Sequence, residues 1–197
     1  MSILILESGD QNAYRAIVDE DGRLTVKSVT QTFEERSVEL GNAYNLNTGT
    51  IALTTDGASG LSYLKSNEEK PIIIQSFIYL LGSNTGGSGD GQVTIIENPT
   101  GGNLLTSTAG TPKNRNTGLQ NKTIDVDWRI GAEAKTISGG TTLIDSIFAT
   151  STGRQVVAVP TVLTKGSSVA VKYIPPSGTT AQNVQIAFAI YLDIFNI

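Results

Sequence analysis

The chain has 197 residues, 14 Lys and Arg against 18 Asp and Glu, and neither cysteine nor histidine. The missing residue types exclude disulfides, thiolate nucleophiles, histidine-bound zinc and the Ser-His-Asp and Cys-His forms of catalysis. Charged residues make up 16% of the chain, below the roughly 25% usual for soluble domains, and a net charge of −4 argues against general nucleic-acid affinity, which needs clustered Lys and Arg.

In chain order, the first residues hold a short apolar run, Ile3-Leu4-Ile5-Leu6, with no basic start, so they do not read as a secretory signal. No apolar run approaches the roughly 20 residues that span a bilayer, and no membrane partner is expected. Residues 14–18 and 23–30 are short strand candidates joined by Asp19-Glu20-Asp21-Gly22, and Asp-Gly before an alternating run is a hairpin cue. Residues 33–40 concentrate charge in Glu34, Glu35, Arg36 and Glu39, and suit either a short helical turn or an extended arm that Gly41 ends. Residues 1–41 are therefore expected to be an N-terminal arm or hairpin, either docked elsewhere or folded on its own domain. Leu24, Val26, Phe33, Glu34, Glu35, Arg36 and Val38 are its candidate partner-binding residues. Charge gives such a segment its register, and the apolar members supply the buried contact.

Residues 42–197 repeat one pattern: short β-branched runs between Gly, Thr, Ser and Asn stretches. Strands are expected at 51–55, 61–65, 72–81, 92–97, 142–149, 155–163, 168–174 and 184–192, which together mean an all-β sandwich or barrel. The run 72–81 is nearly continuously apolar, as for a strand covered on both faces. Ile72, Ile74, Phe77, Tyr79, Phe188 and Ile190 are expected in the core. Pro160 should place its strand at an edge or a bulge. The polar connection 98–121 should project from one end of the sandwich. The apolar end, with Phe195 and Ile197, should lie against the fold or a subunit neighbour.

Several stretches invite chemistry that the pattern does not support. Residues 82–91 are Gly-rich, but a phosphate cradle needs a following helix and a Lys-Ser/Thr pair; a strand follows instead, and a flexible hairpin tip is the better reading. Asp19, Glu20 and Asp21 lack the alternation of a calcium loop. Asp125 and Asp127 alternate on a strand and read as a solvated face or subunit contact, not as the two carboxyls of a glycosidase. Trp128, the single tryptophan, reads as core or interface before a sugar-stacking platform. No catalytic, metal or cofactor residue is assigned, and no enzymatic activity is expected.

Residues 41–55 (GNAYNLNTGTIALTT), 61–67 (LSYLKSN), 163–178 (LTKGSSVAVKYIPPSG) and the central GSNTGGSGDGQVTIIENPTGG resemble small structural proteins of tailed-phage virions, of the capsid-decoration or head-associated kind. The resemblance covers roughly residues 23–192. It implies a jelly-roll β-sandwich of eight strands in two Greek keys, turns at Lys165-Gly166-Ser167 and Pro175-Pro176-Ser177-Gly178, and no catalytic motif. It also implies a protein made in the host cytoplasm and carried on the capsid surface. There it would bind the major capsid protein or another virion component as a homotrimer, the kind of closed symmetric assembly common for such modules. The competing expectation is a receptor- or glycan-binding fibre module using Trp128 and the long connection; a polysaccharide-degrading enzyme ranks last.

Overall fold

In the computed structural model, residues 4–7, 13–18, 24–25, 32–148, 153–158 and 160–192 are described. The chain divides into two compact units, Met1–Thr32 and Phe33–Ile197. In the first, strand β1 (Leu4–Glu7) pairs antiparallel with β2 (Ala13–Val18), which pairs antiparallel with β3 (Leu24–Thr25). Val18 opposite Leu24 gives the hairpin that Asp21-Gly22 suggests. β1 adds a strand to the sequence reading, because a run that short carries no usable period.

The second unit begins with helix α1 (Phe33–Glu39). One short helix is marginal by itself, and this one is held at both ends. Gly41 adopts φ +67 and donates its N–H to the Val38 carbonyl at 3.0 Å, while the Asn42 N–H reaches the Ser37 carbonyl at 2.7 Å, the paired bonds of a Schellman stop. Phe33 packs against Tyr191 with ring centroids 5.8 Å apart. α1, grouped with the N-terminal segment in the sequence reading, thus packs with the second unit.

Two antiparallel sheets then face each other. The first holds β4 (Ala43–Asn47), β5 (Ile51–Leu53), β7 (Ile72–Leu81), β10 (Lys113–Asn114), β13 (Gly153–Val157), β14 (Thr161–Leu163) and β16 (Gln182–Leu192), in the order β10-β4-β16-β7-β13, with β5 on β16 and β14 on β7. The second holds β6 (Ser59–Ser66), β8 (Gly91–Glu97), β9 (Thr108–Ala109), β11 (Val126–Ile130), β12 (Thr141–Phe148) and β15 (Ser168–Ile174), in the order β12-β8-β15-β6-β11-β9.

The pairing runs from the outside of the sequence inward. β4 and β5 pair with β16, β6 with β15, β7 with β13 and β14, and β8 with β12. The unit is one long antiparallel ribbon folded over on itself, and the folding brings β16 beside β7 and β15 beside β8. Alternate residues of both sheets meet inside, with Ile72, Ile74, Phe77, Tyr79 and Ile190 fully buried and Phe188 nearly so. Each of the Ile and Phe side chains contributes roughly 1.5–3 kcal/mol by leaving water.

Three expectations change. Residues 82–91 do not form a hairpin tip: β7 and β8 lie in different sheets, so the segment crosses between them and is tied down by bridges from Thr85 to Ala181 and from Ser88 to Ser177. Glycine and asparagine signal a change of direction but not which sheet the chain enters next. The connection 98–121 does not project either. It lies along both sheet edges, adding β9 outside β11 and β10 outside β4, and buries Leu104 beside Tyr63 and Ala170. Finally, β7 is covered on one face alone: Ile73 and Ile78 are half-buried and Leu80 exposed. Pro160 does separate β13 from β14 on the edge flank of β7, as its missing N–H requires.

One carboxylate pins a loop between β11 and β12 to the end of β5. Glu133 accepts the Thr54 and Thr55 N–H groups at 2.5 and 2.8 Å and the Thr54 hydroxyl at 2.9 Å. These bonds, the Thr54 N–H first, hold the Glu133 pKa below its ordinary value. A lowered folded-state pKa stabilises the clasp above the ordinary glutamate pKa, and the effect fades as pH falls through the lowered one. Amide protection factors of Thr54 and Thr55 should therefore drop on acidification and in Glu133→Ala at neutral pH. Equal protection in both comparisons would show that the clasp holds nothing.

Candidate binding surface on the outer sheet

The residues singled out in the sequence go to different places. Leu24 lies in β3 of the N-terminal unit; Val26, Phe195 and Ile197, with Asp19, Glu20 and Asp21, fall outside the described residues. Phe33 faces the chain's own Tyr191, and Glu34 accepts a hydrogen bond from Gln75 Nε2. Arg36 pairs with Glu39 at 2.8 Å on the exposed side of α1, Glu35 is exposed and Val38 half-buried. Ion pairs this exposed contribute at most about 1 kcal/mol.

Trp128 is 4% exposed in the core, its indole N–H donating to Ser62 Oγ at 3.2 Å. Gly110 lies over the ring so closely that a Cβ there would overlap it. No sugar can stack on this tryptophan. Asp127 pairs with Arg129 at 2.6 Å, and Asp125 accepts from Asn67 Nδ2 at 3.1 Å. Among the described residues no group of three or more Asp or Glu gathers to hold a metal ion.

Two features of the outer face of the first sheet stand out. On its β7–β13–β14 flank, Ile73, Ile78, Leu80, Val156 and Val162 occupy outward positions, since Val156 lies opposite Ile78 and Val162 opposite Ile73. Val156 is 52% and Val162 57% exposed. Gln75 and Ser76 separate the Ile73–Val162 pair from the Ile78–Val156 pair on this face.

Across β4, β16 and β7 the same face sinks into a groove of about 400 Å³. Its floor is Ala187 and Ala189, which point outward because Ile186, Phe188 and Ile190 point into the core. Opposite Ala189 the β7 ladder is bulged. Phe188 pairs with Phe77 and Ile190 with Ile74, so Gln75 and Ser76 together face one residue, and such a bulge re-aims side chains. Asn45 and Asn47 of β4 form one wall, Gln75, Ser76 and Ile78 the other. Arg115 closes one end, donating to the Tyr191 hydroxyl at 2.6 Å with its guanidinium 5.7 Å from the ring centroid. Sequence reasoning missed this groove. Its one sequence signal is the pair of alternating alanines in Gln185–Tyr191 (QIAFAIY), small residues where strands favour large ones.

No protein-family model matches the chain, and a search of curated proteins finds no relative.

Proposed function

We propose that the protein is a non-enzymatic structural component of a tailed-phage virion that decorates the outer capsid surface as a homotrimer. The observation that carries the reading is the apolar strip of Ile73, Ile78, Leu80, Val156 and Val162, a surface suited to a subunit or shell contact. The resemblance of residues 41–55 and 163–178 to virion proteins supplies the setting. The first-with-last strand pairing supports the jelly-roll form of the sandwich, a frequent design in viral shells. Met1–Thr32 is the docking segment for the major capsid protein or another virion component. Units below about 40 residues usually need a staple or an assembly partner, and this one has no cysteine with which to make a disulfide.

The strip can be tested at single positions. Val156→Lys and Val162→Asp should leave the fold intact, being outward and exposed, yet shift native mass from trimer towards monomer. A wild-type protein that is monomeric by native mass spectrometry and does not bind expanded capsids would overturn the proposal.

A further inference from the structure

We propose that the groove across β4, β16 and β7 is a glycan-binding site for a short stretch of oligosaccharide. The inference rests on the geometry of the sheet and stands whether or not the protein decorates a capsid.

Its lining selects the ligand class by exclusion and by fit. It contains no carboxylate, so it is no cation site. Its single cation, Arg115, is partly committed to Tyr191, too little to read a polyanion such as a nucleic acid. The floor strand β16 is paired with β4 and β7 on its two sides, and the stretches of β4 after Asn45 and of β7 at Gln75 and Ser76 that lack an outer partner are two residues each, so no long row of free backbone groups is available to a β-strand peptide. What remains is a mixed surface, polar at its walls and apolar at its floor, that recognises a ligand through side chains.

Amides and hydroxyls share that surface with Leu46, Ile78, Phe188 and the two alanines, and their free groups can be counted. Asn45 and Ser76 make no side-chain hydrogen bond to other described residues. Asn47 Oδ1 accepts from Gly49 N–H at 2.8 Å and from Gln185 Nε2 at 2.6 Å, which orients the Asn47 side chain and leaves its two amide hydrogens to donate outward. Gln75 donates an amide N–H to Glu34 and keeps its carbonyl oxygen. Free donors and acceptors thus stand on both walls beside an apolar floor, matching a sugar ring with hydroxyls at its rim and C–H groups on its face. The volume lies within the range of small-ligand sites. The Tyr191 ring is taken by Arg115 and Phe33, so affinity rests on hydrogen bonds and each site is weak; repetition in an oligomer would raise it by avidity.

The test uses the full-length protein on a glycan array carrying neutral and acidic host-surface polysaccharides, followed by saturation-transfer NMR on the hits. Ala189→Leu fills the floor, and Asn45→Ala with Ser76→Ala removes free polar groups; all are outward positions. Each variant should lower binding at least tenfold with an unchanged melting temperature and unchanged mass. Hits confined to acidic glycans and lost in Arg115→Ala would support the site and assign Arg115 to the carboxylate. Absence of any hit, or binding retained in both variants, would overturn it. A changed native mass in Ala189→Leu would also overturn it, by making the groove a subunit contact. Capsid binding measured on the same variants should be unaffected, so its loss in wild type would count against the virion reading alone.

Discussion

Phe77→Ala should destabilise the sandwich by roughly 3–5 kcal/mol, lowering the melting temperature by roughly 6–20 °C for a chain of this size. Phe77 is fully buried at the centre of β7, and its ring meets that of Phe188 on β16 with centroids 5.1 Å apart and planes inclined by 49°. Truncation removes the transfer free energy of the ring, the tilted aromatic contact, worth about 0.5–1.5 kcal/mol beyond burial, and leaves a cavity between two sheets that cannot collapse independently. Differential scanning calorimetry reads the change directly. A fall below about 2 °C would mean that Phe77 is not packed between the two sheets.

A chain starting at Thr32 should fold, keep its oligomeric state and lose binding to expanded capsids altogether. The break follows the division between the two compact units, so the sandwich keeps α1 and the contact between Phe33 and Tyr191. A chain starting at Gly41 makes the informative comparison. It also loses capsid binding, but it strips α1 from the first sheet, uncovers the outward edge of Tyr191 and should melt at a lower temperature. Normal occupancy of capsids by the Thr32 truncation would move attachment to the sandwich and refute the docking role of the first unit.

The sandwich was largely legible because its strands announce themselves locally. Runs such as Ile72–Leu81 and Ser168–Ile174 are β-branched and bounded by glycine, proline or asparagine, and these signals depend on nothing distant. Pro160 was legible for the same reason, since a missing N–H has one consequence in any sheet. The segment 82–91 was misread because turn composition is local whereas the choice between pairing back and crossing over depends on where β16 and β8 lie. β9 and β10 have no sequence signal; two residues carry no period. The continuous apolar run of β7 was read as burial on both faces, because sequence cannot distinguish a face covered by the chain from one left bare. The groove was hidden for another reason: it is made of alanines, a bulge and amides from three strands that the sequence separates widely, and none of them is unusual alone.

The outside-in pairing also fixes when the molecule can be completed. Asn47 of β4 pairs with Ala187 of β16, about 140 residues later, and at roughly 5–20 residues per second of synthesis the first strand waits on the order of 7–30 s for its neighbour. During that interval β4 and one side of β7 are bare hydrogen-bonding edges, and the apolar positions meant for the interior have no opposite sheet. Closure by distant strands is slow even after release. The nascent chain is therefore a natural client for a chaperone that binds extended apolar segments, and a product that stops before Gln182 cannot close at all, leaving the central seam of the first sheet open to other chains.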